Sequence, residues 1–565
     1  MDEDLSAPVW STACPDWEKR IVEGRSLIPC SPLFPEEARA ARAVLGGLRV
    51  IDVAGRPTML EACRPWALEF VDAVFGAYDH SIGRRLIVEF FLLISKKNTK
   101  STLAAAIMLT ALIRNWRDSN ECLILAPTLE IANNSFKPAR DMVSASPELS
   151  AIMHVSVPNR AITHRTTGAS LKVVAADSDT VSGKKAAFVL VDEAWLFGKR
   201  HDAENMLLEA TGGLASRPEG FVIWLTTQSD APPAGVFKKK LHHFRQVRDG
   251  IVTDPRSLGV LYEFPERMLK AQAWRDPSTW RMTNPNLGLS VDMQFLAAKM
   301  REGEAGGESS LRAFAAKHLN VEIGIGLGSN GWGGAEFWER QADTTLTFAE
   351  LLRRCEVVTI GVDGGGKDDL LGFGAVGRER GTGRWLMWNR AWAWPSALQQ
   401  RQSNVTKYED FAEADELVIV DTVGEDMLDL VGLVVQARNA GLLPDKHAIG
   451  VDPGRHQAVT RALLAAEIPS DQIAFVSQGW RLGGPMELAE RMLAEGTLRH
   501  AGQALMAWCV SCAKVEKKGN ATIVTKQASD GKIDPLMAGL NAIELMARNP
   551  VAGGLVTGSD ILMVL

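Results

Sequence analysis

Several stretches of this chain set polar side chains at the ends of apolar runs, and all of them point to chemistry on phosphates. In SKKNTKST (95–102), an apolar run ending at Ile94 meets a polar turn that closes on Lys100-Ser101-Thr102, and an alanine-rich helical stretch follows. A phosphate-binding loop, G-x-x-x-x-G-K-[ST], has this layout, with backbone N–H groups around the phosphates, lysine on the β/γ-phosphates and the hydroxyl on Mg²⁺. Ile94 and Thr99 stand at its two glycine positions, so alone the segment reads equally well as a strand–turn–helix with exposed lysines. AAFVLVDEAW (186–195) ends in an acid pair. Asp192 is suited to the Mg²⁺ water shell and Glu193 to orienting or deprotonating an attacking water, the plainer alternative being a helix cap. Thr226-Thr227-Gln228 closes the next apolar run with groups able to sense a γ-phosphate. In the second half, Asp363 and Asp452 each end a GVD triplet, and Asp534 lies in GKIDPLMAGLNAIELM. Three carboxylates from separate elements can hold two divalent cations about 3.5–4 Å apart, one activating water and one stabilising a leaving oxygen. Oxygen ligands favour Mg²⁺ or Mn²⁺ over zinc.

These residues need elements that bring them together. ECLILAPT (121–128), SLKVVAA (170–176), AAFVLVDEAW and GFVIWLTTQ (220–228) alternate with helical stretches, which implies a parallel sheet with both faces covered and ligands at the carboxyl ends of its strands. The second half starts after GIGLGSNGWGGAEFWER (324–340), which reads as a linker leading into a helix. Three strand candidates follow, within 355–370, 370–377 and 383–394, and then helices alternate with HAIGVDPGR (447–455) and QIAFVSQ (472–478). That is the element order of an RNase H-like fold, whose central first strand lies beside the strand after the first helix. This places Asp363 near Asp452. Ala538 and Gly539 allow the helix opening at Asp534 to approach the sheet closely.

At 565 residues the chain exceeds one usual core, which implies two domains. The expected boundaries are 1–325 for a first domain with a lid-like part at about 235–325, 326–352 for the linker, and 353–565 for a second domain. A net charge of -6 excludes a generally basic coat, so nucleic acid must meet local patches. Candidates are FKKKLHHFRQVR (237–248), equally readable as a solvated helix face, and Lys514, Lys517 and Lys518. Seven scattered cysteines suggest reduced thiols, and Cys509 and Cys512 of CVSC have zinc-like spacing but no second pair. With no signal segment and no apolar run of about 20 residues, a soluble protein without membrane contact is expected.

The order SKKNTKST, LAPT, VDEA, LTTQ, NPNLG (284–288), FAAKHLN (314–320), GVDGGGKDDL, GVDP, SQG (477–479) and KIDPLMAG resembles the large terminase subunit of tailed bacteriophages, from about 64 to 548. The resemblance implies an N-terminal P-loop (RecA/ASCE-like) ATPase domain with a parallel sheet and a C-terminal RNase H-like nuclease domain, an α/β chain throughout. In that family the loop often lacks its first glycine and carries a basic residue. Lys96 and Lys97 look like those basic residues, within a nucleotide-contacting stretch Lys96, Lys97, Asn98, Thr99, Lys100, Ser101 and Thr102, with Gln228 across from it. Thr99, where the family has glycine, is a departure that implies weakened nucleotide binding. Ala67 is another, where a glutamine often reads adenine. The resemblance further implies ATP with Mg²⁺ on Ser101 and Asp192, Glu193 on the water, and two Mg²⁺ or Mn²⁺ on Asp363, Asp452 and Asp534. Arg217 is a candidate arginine finger or an ion-paired surface arginine. The expected partners are double-stranded DNA, a portal protein, a small terminase subunit and further copies in a ring on the procapsid, all in the host cytoplasm. The rival readings are a helicase or translocase with an inactive second domain, which metal-dependent nicking would exclude, and a non-catalytic assembly protein, which DNA-stimulated ATP hydrolysis would exclude.

Overall fold

The apolar runs of the first half become strands of one eight-stranded sheet: β1 (Glu89–Leu93), β2 (Glu121–Ala126), β3 (Met153–Ser156), β4 (Ala161–His164), β5 (Ser170–Ala175), β6 (Ala186–Asp192), β7 (Phe221–Thr226) and β8 (Ser257–Leu261). Their order is β8-β1-β7-β6-β2-β5-β4-β3, parallel from β8 to β5 and antiparallel across β5-β4-β3. All seven residues of β6 and all six of β7 are buried, as strands covered on both faces require. This computed structural model describes residues 10–175, 186–200, 202–322, 332–366, 369–400, 404–422, 424–454, 456–518, 521–526 and 532–553. The chain divides into two units, Met1–Ile323 and Gly324–Leu565.

The first part of the stretch expected to be lid-like joins the main sheet. Within 235–325, helix α1 (Gly235–Arg248) leads to β8, which pairs with β1 along the main sheet, Ser257 opposite Glu89 through Leu261 opposite Leu93. The apolar SLGVLYEF therefore completes the sheet. The basic run 237–248 lies on α1, where Lys240 pairs with Glu89, Lys239 with Glu204, and Arg245 and Arg248 with Glu263. Glu263 is 6 % exposed. Burial alone would raise its carboxyl, and the two guanidiniums override this and hold it down to about 2. Much of this basicity is thus spent inside the fold.

In the second unit, β9 (Cys355–Gly364), β10 (Leu370–Glu379), β11 (Trp385–Ala393), β12 (Leu417–Ile419), β13 (Ile449–Val451) and β14 (Ile473–Phe475) form the order β12-β11-β10-β9-β13-β14, and β15 (Leu498–His500) also pairs with β11. β9 is central, antiparallel to β10 and parallel to β13. The short β12 intervenes before β13 and joins the far side of β11, so the partner of β9 follows the later helix Glu425–Asn439. Residues 332–352, expected as linker, contribute Trp332, Trp338, Phe348 and Leu351 to this unit's cores; 326–331 lie outside the described residues. Tryptophans in a Gly-rich stretch are core anchors here, since leaving such large apolar surfaces in water is costly.

Candidate active sites

The phosphate-loop candidate follows β1. It ends in helix α2, labelled here for Lys100–Arg114, whose N-terminus offers unpaired N–H groups and a positive dipole end. Thr99 precedes the helix at φ 59°, ψ 25° and Lys97 has φ 72°, the left-handed region that glycine enters freely. Here the loop is held by asparagines instead. Asn98 Nδ2 donates to Ser95 O (3.1 Å) and to Asn284 Oδ1 (2.9 Å), and Asn98 Oδ1 accepts from Asn286 N (3.0 Å). The Thr99 hydroxyl donates to Asn98 O (2.7 Å) and accepts from Asn286 Nδ2 (3.1 Å), while Asn286 Oδ1 takes the buried Trp66 indole N–H (2.8 Å). The NPNLG segment is therefore the brace that lets a threonine sit where glycine is usual. Its sequence signal was present, but no role could be read from it before the fold joined residues nearly two hundred positions apart.

Lys100 is buried, and among the described residues its ammonium donates to two carbonyls, Ile94 O and Ser95 O, both at 3.2 Å. Burial pushes its amine down, against the charges of Glu193 and Asp192. A cation parked on two long carbonyl contacts suits a phosphate. Ser101 and Thr102 occupy the first turn of α2. Because β7 lies between β1 and β6, with Leu93 opposite Thr226 and Leu225 opposite Asp192, the loop, Thr226–Gln228 and the acid pair share one sheet end. Asp192, 1 % exposed, accepts from Ser135 Oγ (2.6 Å), and burial followed by the Glu193 charge raises its carboxyl to about 6. Glu193, at φ 51°, accepts from Trp195 Nε1 (2.7 Å) and lies 3.5 Å from Thr227 Oγ1. Gln228 is fully buried, its side-chain Oε1 accepting from Ser229 N (3.0 Å) and its Nε2 lying 3.5 Å from Glu322 Oε2. Arg217 follows the short 3-10 turn Gly213–Ser216 and donates to Ser216 O (3.2 Å). Lys317, which sequence reasoning passed over, reaches the same region. Its Nζ donates to Gln228 O (3.1 Å), and burial lowers its amine to about 7.

In the second unit, parallel pairing of Val362 with Val451 sets Asp363 and Asp452 at the same ends of adjacent strands. Helix α3, the label used for Asp534–Met546, crosses beneath them on a track of small residues. A Cβ on Gly374 would fall 2.6 Å from Gly539 N, and one on Gly372 2.7 Å from the Asp534 carbonyl carbon. Asn541 Nδ2 donates to Val362 O (3.1 Å), Thr359 Oγ1 to Ala542 O (2.8 Å) and Asn389 Nδ2 to Pro535 O (3.0 Å). Ile533 holds the N-cap position, with no side-chain cap bond, so Asp534 is not the helix cap. Asp363 accepts from Gln478 Nε2, a residue of SQG for which the sequence suggested no role. Burial, then the charges of Asp534 and Asp452, raise its carboxyl to about 8. Among the described residues no three carboxylate, imidazole or thiol groups already stand as a metal cluster. Asp534 and Asp452 nevertheless both bear on Asp363 electrostatically, an all-oxygen donor set whose repulsion a divalent cation relieves. Lys532 pairs with Asp369 beside them. Cys509 and Cys512 lie on one helix, Ala504–Cys512, with Cys509 buried. Lys514, Lys517 and Lys518 lie on the strand Ala513–Lys518 of a two-stranded hairpin.

A polar loop and an acid pair at one end of a parallel sheet, with Asp363 and Asp452 on adjacent strand ends of a second sheet, suit nucleotide hydrolysis in one unit and phosphodiester cleavage in the other. Residues 65–232 match the family described as terminase large subunit, ATPase domain, and residues 260–549 match terminase large subunit, endonuclease domain. The chain belongs to the terminase large subunit family; it is an ATPase and endonuclease that acts on DNA in packaging and uses a nucleotide and divalent metal. It is 22% identical over 480 residues to the terminase large subunit of Lactococcus phage p2, covering 82% of this chain and 83% of that one. Protein YmfN of Escherichia coli K12 is 19% identical over 353 residues, covering 61% and 74%. The HK97 bacteriophage large terminase structure aligns over 90% of this chain and 99% of its own, at 18% identity and a TM-score of 0.47. No helix among the described residues is long and apolar enough to cross a membrane.

Proposed function

We propose that ATP with Mg²⁺ binds at the carboxyl end of β1, β7 and β6. Lys96, Lys97, Asn98, Thr99, Lys100 and Thr102 face the phosphates, Ser101 and Asp192 hold the Mg²⁺, and Gln228 senses the γ-phosphate. Bound there, the metal neutralises phosphate charge. Lys100 exchanges its carbonyl contacts for phosphate oxygens, and Glu193, fixed by the Trp195 indole, orients the attacking water. The carrying observation is the strand order that places three sequence-distant strand ends side by side. In the domain at about 353–565, Asp363, Asp452 and Asp534 hold two Mg²⁺ or Mn²⁺ for phosphodiester cleavage. The ATPase domain spans about 1–325, and the chain works as a homo-oligomeric ring with a portal protein and a small terminase subunit in the host cytoplasm, moving viral double-stranded DNA into the procapsid and cutting its concatemers.

The test is a pair of separable losses. Glu193→Gln should lower ATP hydrolysis by about 10²–10⁴-fold while ATP affinity stays nearly unchanged, because the carboxylate acts on the transition state. Asp363→Ala, Asp452→Ala and Asp534→Ala should each eliminate metal-dependent DNA cleavage with hydrolysis intact. Mn²⁺ should raise the melting temperature of the native protein more than that of any of the three variants. Cleavage surviving in two of them would remove the two-metal assignment.

A further inference from the structure

We infer that Lys317 is a positioning residue for ATP hydrolysis, acting on Glu193 through the Trp195 ring. The inference rests on the proposed role of Glu193 and adds the part that aims it. Lys317 lies on helix α4, used for Glu308–Leu319, which is far from the phosphate loop in sequence but bonded to it, Lys96 N donating to Lys317 O (2.8 Å). Its side chain is 8 % exposed and its ammonium sits 2.8 Å from the Trp195 ring centroid, with Gln228 O at 3.1 Å and Asp230 Oδ2 at 3.8 Å. A desolvated ammonium on an indole face draws electron density from the ring and makes the indole N–H a better donor. That N–H is the one given to Glu193 Oε2 at 2.7 Å.

The geometry also explains why such an arrangement is needed. Glu193 sits in a left-handed conformation, unusual for a residue with a side chain, and its carboxylate must still point to one place. Trp195 is fixed at its backbone by Thr226 Oγ1 (3.0 Å) and at its ring by Lys317. Lys199 lies further from the ring, at 4.8 Å, and is paired with Asp230 at 2.6 Å. Lys317 is thus the cation in intimate contact with the ring, and its hydrogen-bond acceptor, Gln228 O, belongs to the residue just past β7 proposed to sense the γ-phosphate.

The test uses the full-length protein, steady-state ATP hydrolysis and direct ATP binding. Lys317→Met should lower kcat by about 10-fold or more with ATP affinity nearly unchanged, and Lys317→Arg should recover part of the rate. Trp195→Phe keeps a ring but removes the N–H, and should reproduce the Lys317→Met loss; it decides the matter if Lys317→Met does not fold. Adding Lys317→Met to Glu193→Gln should cost nothing further, as groups acting through one another are not additive. Wild-type kcat in Trp195→Phe, or a further loss in the double variant, overturns the inference while leaving Glu193 in its role. A Glu193→Gln protein that hydrolyses at the wild-type rate overturns the proposed role itself.

Discussion

Thr99 shows how one residue departs from a motif without abolishing its geometry. A β-branched side chain in the left-handed region costs about 1–2 kcal/mol, and the hydroxyl contacts to Asn98 O and Asn286 Nδ2 offset it. Thr99→Gly removes strain and bonds together, so its stability should stay within about 1 kcal/mol of wild type. Thr99→Val keeps the strain and loses both bonds; it should be destabilised by about 1–3 kcal/mol, leaving the Asn286 amide without its acceptor. Denaturant unfolding of the two variants checks this, and a Thr99→Val protein as stable as wild type would mean that the hydroxyl does not hold the turn. The letters of the loop were legible in the sequence, and so was the clash between Thr99 and a glycine position. What could not be read was its resolution, because the compensating partners lie at 284–286.

At the scale of elements, the sequence reading worked where apolar runs were long and ended in polar residues. β1, β2, β5, β6 and β7, and in the second unit β9, β10, β11 and β13, follow from such runs, and register then puts Asp363 beside Asp452. It failed at the margins. The hairpin β3-β4 has four-residue strands, too short for periodicity to register. β8 carries a glycine and was absorbed into a supposed lid, and the tryptophans near 332–338 were hidden by surrounding glycines. The NPNLG brace belongs to no helix or strand, so no period announces it. Its importance is testable: Asn286→Ala strips the buried Trp66 N–H of its acceptor and frees Thr99, which should cost about 1–3 kcal/mol and weaken ATP binding. Calorimetry with a nucleotide titration measures both, and an unchanged affinity would separate the brace from the site.

For the whole molecule, acid sensitivity includes one histidine in each unit that is held neutral, partly buried in the first and buried in the second. His318 is held down to about 4 by burial and then by Lys96, Lys97 and Lys100. In the second unit His500, 3 % exposed, stacks on Trp338 at 3.9 Å; its Nδ1 accepts from Gly502 N (3.1 Å), so Nε2 carries the proton donated to Trp338 O (2.7 Å). Burial holds its pKa down to about 4, against 6.5 for the free side chain. The unfolded chain therefore takes up a proton that the folded unit refuses. The stability His500 contributes is full above pH 6.5 and erodes as the pH falls towards about 4, by up to about 1.4 kcal/mol per pH unit. The melting-temperature advantage of wild type over His500→Gln should shrink across that window, and an advantage constant with pH would contradict it.

The strand β8 and the contacts at 284–286 and at Lys317 carry a last consequence, for any shortened form of the chain. A fragment ending at 232, where the ATPase family match stops, retains every phosphate-binding letter and both acids. It would still lose the strand that covers β1, the partners of Asn98 and Thr99, and the lysine over Trp195. Stripped of β8, β1 would present its unpaired N–H and C=O groups as a free edge, the template on which chains stick to one another. Such a fragment should aggregate and bind ATP poorly, whereas one ending near 323 should remain monodisperse and bind it; light scattering and ATP titration of the two fragments would tell them apart.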